Sequence, residues 1–101
     1  MKVQINTLNL KMTDHIREQV NDKLASKLDK LVKSFNQDLK LVDVKIDKQS
    51  DWGYKVRVNL ELADHSFFAD TRHESLVSGL VDAREKLETQ IKKFKEKLKR
   101  Y

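Results

Sequence analysis

The chain has 101 residues, 39% hydrophobic and 37% charged, with no cysteine, no proline and two glycines. That describes one globular domain with one modest core; disulfides and thiolate chemistry are excluded, and no apolar run approaches the ~20 residues of a membrane span. The net charge is +5, which turns attention to where the excess sits.

Met1–Leu8 alternates, with Val3, Ile5 and Thr7 on one face of a short strand, and it lacks the unbroken apolar stretch of a signal peptide. With the missing cysteines, this fits a cytoplasmic protein. Thr13 is a good N-cap for a helix with the apolar stripe Ile16, Val20, Leu24, Leu28, Leu31 and Phe35, ending near Asn36. Leu39–Asp47 sets Val42, Val44 and Ile46 against Asp43, Lys45 and Asp47, the pattern of a half-buried strand. Lys48–Gly53 is a turn, with Gly53 free to take positive φ. Tyr54, Val56, Val58, Leu60 and Leu62 then give the clearest strand, and a turn at Asp64–His65 leads to a short one, Ser66–Asp70. Ser75 caps a second helix running to the C-terminus, with the stripe Leu76, Leu80, Ala83, Leu87, Ile91, Phe94 and Leu98. Gly79 costs that helix up to ~1 kcal/mol relative to Ala, so something beside it wants the small residue. The order β-α-β-β-β-α, with one apolar face per element, predicts an α+β fold: a four-stranded mixed sheet with both helices packed on one face.

The charge sorts by position. Residues 1–88 carry 15 Lys and Arg against 15 Asp and Glu, whereas residues 89–101 carry six bases and one acid. Advancing 100° per residue places Asp14, Glu18, Asp22 and Asp29 on one flank of the first helix and Lys23, Lys27 and Lys30 on the other. On the second helix Lys86, Lys93, Lys97 and Arg100 form a row with no acid in it, and Lys92, Lys95 and Lys99 cover the opposite side. Lysines complement the C-terminal helix dipole, but only over the last turn, and this row reaches back to Lys86. A polyanionic partner accounts for it better.

Other chemistry is thin. His15, His65 and His73 share no metal-ligand spacing and read as ordinary surface histidines. No carboxylate pair, phosphate loop or nucleophile motif is present, so no catalytic residue, metal or cofactor is assigned and an enzyme is not expected. Trp52 covers the end of the core beside Gly53 or offers a stacking surface. The outer sheet face mixes Lys45, Lys55 and Arg57 with Asp43, Asp47 and Glu61 and shows no aromatic on its central strands, against a platform for single-stranded RNA.

With that element order and the lysine-rich last helix, the sequence resembles the short ribosome hibernation promoting factors and their ribosome-associated inhibitor relatives, the former sigma-54 modulation family. The opening MKVQIN, Thr13–Val20 (TDHIREQV) and above all Glu85–Lys99 (EKLETQIKKFKEKLK) carry the likeness, which covers the whole chain. The resemblance implies a stress and stationary-phase factor that silences idle ribosomes sterically. It docks on the small ribosomal subunit, over the decoding region where mRNA and the A- and P-site tRNAs lie. It also implies rRNA binding through basic residues on the two helices. The candidates are Lys23, Lys27, Lys30, Lys86, Lys92, Lys93, Lys95, Lys97, Lys99 and Arg100, with neither DNA nor a membrane as partner and a monomer when free.

Three departures qualify the likeness. The first helix looks one turn longer around Lys23–Lys30, Thr89 replaces a usual Arg, and Ser75 and Val77 replace a usual Asp and Tyr. The second, dimerising domain of the long form is also missing, so ribosome pairing would need another factor or surface. The alternatives are a small interaction module that docks an acidic protein, and a generic double-stranded RNA-binding domain.

Overall fold

The alternating segments pair into a single sheet. The computed structural model describes residues 2–34, 39–62 and 65–99. Its strands are β1 (Lys2–Leu8), β2 (Leu41–Lys48), β3 (Tyr54–Glu61) and β4 (Ser66–His73), in the spatial order β1-β2-β3-β4. β1 runs parallel to β2 and the other two pairs are antiparallel, so the sheet is mixed as predicted. Register puts Val3 beside Val42, Val44 beside Val58 and Val58 beside Ala69, which lines the apolar sets up on one face. Both helices pack on that face and share one core with it. The β2–β3 turn uses Gly53 at φ +67°, where a Cβ would collide with the carbonyl oxygen of His73.

β4 is longer than predicted, reaching His73 rather than stopping at Asp70. Thr71 keeps the inward alternation going although it is polar. It is buried, and its hydroxyl donates to the Gly79 carbonyl at 3.0 Å, which offsets the cost of burying it. What Gly79 supplies is the missing Cβ. The last helix approaches the sheet so closely there that a Cβ would sit 3.1 Å from Val56 Cγ2.

The first helix comprises α1 (Asp14–Val20), a π-helical turn (Asn21–Ala25) and α2 (Ser26–Lys33), running on without a break. Thr13 caps it as predicted, accepting from the Ile16 N–H at 3.2 Å. Its predicted end near Asn36, and Phe35 with it, lie outside the described residues. The π turn follows from the spacing of the large buried side chains, Ile16, Val20, Leu24, Leu28 and Val32. Each four-residue step overshoots a 3.6-residue turn by about 40°, so a plain α-helix would spread these five over about 160°. One turn holding an extra residue takes back about 100° and keeps them on one face. Ser26 N–H accordingly donates to Asn21 O, five residues back. The re-phasing corrects the predicted stripe: Val32 is fully buried and Leu31 only half-buried.

α3 (Leu76–Lys99) needs no such device. Leu80, Ala83, Leu87 and Ile91 are fully buried, and Leu76 and Phe94 pack against the same core. Ser75 accepts from Ser78 N–H at 3.4 Å. Phe94 lies level with the start of β4, where its ring stacks on His65 and meets Phe67 edge-on. The helix beyond Phe94 therefore runs past the end of the sheet.

Candidate nucleic-acid interface

Strand directions fix how the charged halves of the helices sit. β1 and β4 run the same way, and each helix starts from the far end of the strand before it, so the two helices lie side by side and parallel. Contacts agree: Arg84, early in α3, donates from Nη1 to the Lys23 carbonyl in the π turn at 3.4 Å. The first turns are thus neighbours at one end, with Asp14 the acid they carry, and the lysine-rich later turns gather at the other. Placing cations at both C-terminal ends also suits the helix dipoles.

The α3 lysines divide into two flanks and a crest. One flank overlies the β4 edge. Lys86 Nζ donates to the Asp70 carbonyl at 3.2 Å and lies 3.7 Å from Asp82, while Lys93 and Lys97 line a groove with His65, Ser66, Phe67, Gln90 and Phe94. The other flank faces the first helix. Arg84, which also pairs with Glu88 at 2.9 Å, lies there, and Lys95 comes round to it eleven residues later, half-buried. Across the seam is the Lys23 flank of the first helix, whose Gln19 borders Leu76 and Val77 at the start of α3. Lys23 is half-buried there, with Lys27 and Lys30 exposed further along. Lys92 stands exposed on the crest between the flanks. The structure thus gathers Lys27, Lys30, Lys92, Lys93, Lys95 and Lys97 toward one end rather than in one plane, whereas Lys23, level with Arg84, lies at the middle of the first helix. The side chain of Lys99 and all of Arg100 lie outside the described residues.

The predicted acid-free row needs correction at its start. Asp82, one turn before Lys86, pairs with it and also with His73 Nε2 at 2.9 Å. The His73 hydrogen bond holds the Asp82 carboxyl below the usual carboxylate range, with Lys86 helping and partial burial opposing. From Lys93 onward the row has no acidic partner among the described residues. His65 and His73 are also less ordinary than predicted, one stacked on Phe94 and the other tying β4 to α3. Among the described residues no group of three His, Cys, Asp or Glu could hold a metal ion, and no helix is long and apolar enough to cross a membrane.

Sequence reasoning missed three side chains on the surfaces around α3. Arg84 was signalled only by its i,i+4 spacing to Glu88. Gln90 lays its amide along the β4 edge, donating to Phe68 O at 2.7 Å and accepting from Phe68 N–H at 3.4 Å, a pairing that no local pattern announces. On the outer sheet face, Phe68 is 53% exposed on β4, beside the central strands that carry no exposed aromatic. Trp52 is 47% exposed, with the Arg72 guanidinium 5.5 Å from its ring centre.

Residues 3–99 match the family described as sigma 54 modulation protein / S30EA ribosomal protein. The chain belongs to that family. It is 30% identical over 101 residues to a ribosome hibernation promotion factor of Staphylococcus aureus (strain COL), a match covering 99% of this chain and 51% of the relative. A second protein of that name, from Lactococcus lactis subsp. cremoris (strain MG1363), is 31% identical over 100 residues, covering 99% of this chain and 52% of its own. The chain therefore spans about half the length of the curated relatives it matches. Its fold is that of the Thermus thermophilus Protein Y N-terminal domain, with a TM-score of 0.79 and 24% identity over 93% of this chain and 99% of that one. A ribosomal subunit interface protein from Coxiella burnetii matches at 0.76, with 17% identity over 95% of this chain and 99% of that chain. The resemblance read from the last helix thus holds at the level of the family, and the family is one of binding proteins rather than enzymes.

Proposed function

We propose that this chain binds the small ribosomal subunit and keeps idle ribosomes inactive by occupying the decoding region, where mRNA and the A- and P-site tRNAs would lie. It acts in the cytoplasm, residues 1–101 forming one ribosome-binding domain, as a monomer when free and without cofactor or catalysis. The observation that carries the reading is the basic end built by two parallel helices. Lys27 and Lys30 rise on one side, with Lys23 further back along the seam, Lys92, Lys93, Lys95 and Lys97 on the other, and the α3 turns beyond Phe94 project past the sheet. A projecting helix with cations on more than one side can enter a cleft between RNA walls, where a flat basic patch could touch only one.

Lysines are point charges and contact phosphates without reading bases, so the affinity they give falls with salt. The test is co-sedimentation with purified small subunits over a salt series, with initiator tRNA as competitor. The expected result is binding that drops by orders of magnitude between about 50 and 200 mM salt and is displaced by the tRNA. Binding that ignores both would refute occupancy of the decoding region.

A further inference from the structure

The groove at the foot of β4 combines features that phosphate binding alone does not require. Its floor is aromatic: the His65 ring lies on Phe94 with centroids 4.2 Å apart and planes 18° apart, and Phe67 closes behind both at 4.7 and 5.7 Å. Phe67 is buried and Phe94 partly so, but His65 is exposed and extends the stack toward solvent. Lys93 and Lys97, one turn apart on α3, stand along one rim, and Ser66 adds a hydroxyl. Glu61 borders the far side of His65, so an anion is drawn only to the lysine side. Gln90, the remaining polar wall, is occupied by the Phe68 backbone and holds the wall in place. The space is about 500 Å³, within the range of small-ligand sites.

A flat ring backed by a second ring, with two cations along one rim, matches an unpaired nucleotide. The base continues the His65–Phe94 stack and its phosphate lies between the lysines. A base paired inside a duplex has both faces covered and cannot enter; a splayed base can. An acidic peptide would satisfy the lysines but leave the aromatic platform unused.

We propose that this groove takes one unpaired nucleotide of RNA, stacked on His65, with its phosphate held by Lys93 and Lys97. The site rests on the rRNA reading above and deepens it: part of the contact is then made with a single-stranded or bulged nucleotide rather than with helical phosphates.

The test uses the full chain and a short single-stranded RNA carrying 2-aminopurine, whose fluorescence is quenched on stacking, with a blunt RNA duplex and free AMP alongside. The expected result is quenching on binding, with affinity about tenfold lower for His65→Ala and largely restored for His65→Tyr, which keeps a ring. Lys93→Ala with Lys97→Ala should weaken binding and reduce its salt slope by about 1.4. Unfolding midpoints of the variants separate lost stacking from lost fold. Equal affinity of wild type and His65→Ala for the single strand would overturn the site, as would a duplex that binds as well with no dependence on His65. AMP competing as strongly as the RNA would reassign the groove to a free nucleotide. Small-subunit co-sedimentation of His65→Ala keeps the readings apart: intact ribosome binding without single-strand quenching refutes the groove alone, and loss of ribosome binding in the wild type refutes the wider reading.

Discussion

The two helices do the same job, covering one face of one sheet, and are built differently. In the first, buried residues recur every four positions and the backbone widens into a π turn to keep them inward. In α3 the recurrence mixes threes and fours, and the helix stays regular for 24 residues. The first helix is held mainly by packing. α3 is also bonded to β4 by side chains, through Thr71 to Gly79 O, Gln90 to Phe68, Lys86 to Asp70 O and His73 to Asp82. Winding thus follows from the apolar spacing. The extra polar ties fall on the helix whose basic end projects beyond the sheet.

The sharpest way to break this comparison is to delete one residue from each helix. Removing exposed Asp22 turns the π turn into an ordinary one and leaves Leu28 and Val32 facing the core. Removing Glu88 turns everything after Leu87 by about 100° and takes Ile91 and Phe94 out of their sites. The second deletion should cost more than ~3 kcal/mol by urea unfolding and the first about 1 kcal/mol or less. Equal costs would refute the account of the π turn as an added residue.

A smaller effect is expected at the ties. Gln90→Ala removes two bonds to the β4 backbone, for a loss of about 1 kcal/mol. It also bares a strand edge, so concentration-dependent association in size-exclusion chromatography should appear with it. The smallest effect belongs to Asp82→Asn, about 0.5 kcal/mol at neutral pH for a partly exposed pair. Because the folded state holds this carboxyl below its usual range, its stabilisation is present above about pH 4 and fades as pH falls through the depressed value. Thermal melts of wild type and variant should therefore converge in acid and separate above about pH 4.

Most of the scaffold could be read from local pattern. Val42–Ile46 and Tyr54–Leu60 alternate cleanly, Thr13 caps where it should, and Gly79 marks the close helix–sheet approach. One boundary and one core position moved where a polar residue or a re-phased backbone replaced the apolar pattern. Thr71 extends β4 through a hydroxyl bond to a helix carbonyl, and the π turn exchanges Leu31 for Val32 in the core. The lysine flanks followed from 100° per residue, because helix phase is local. Asp82 beside Lys86, Gln90 on the β4 edge and His65 on Phe94 depend on which strand lies under α3, and that is settled only by the tertiary fold. Sequence could place the cations but not the aromatic floor beneath two of them.

The central claim is that the basic end of α3 faces rRNA. The direct measurement is co-sedimentation of wild type and of the triple variant Lys86→Glu, Lys93→Glu, Lys97→Glu with small ribosomal subunits at moderate salt, with the fold of both checked by circular dichroism. All three side chains are exposed and, among the described residues, Lys86 alone of them is bonded, to the Asp70 carbonyl and Asp82, so the variant should keep its fold with somewhat lower stability and fail to pellet with the subunit. A folded triple variant that pellets as the wild type does would contradict the account.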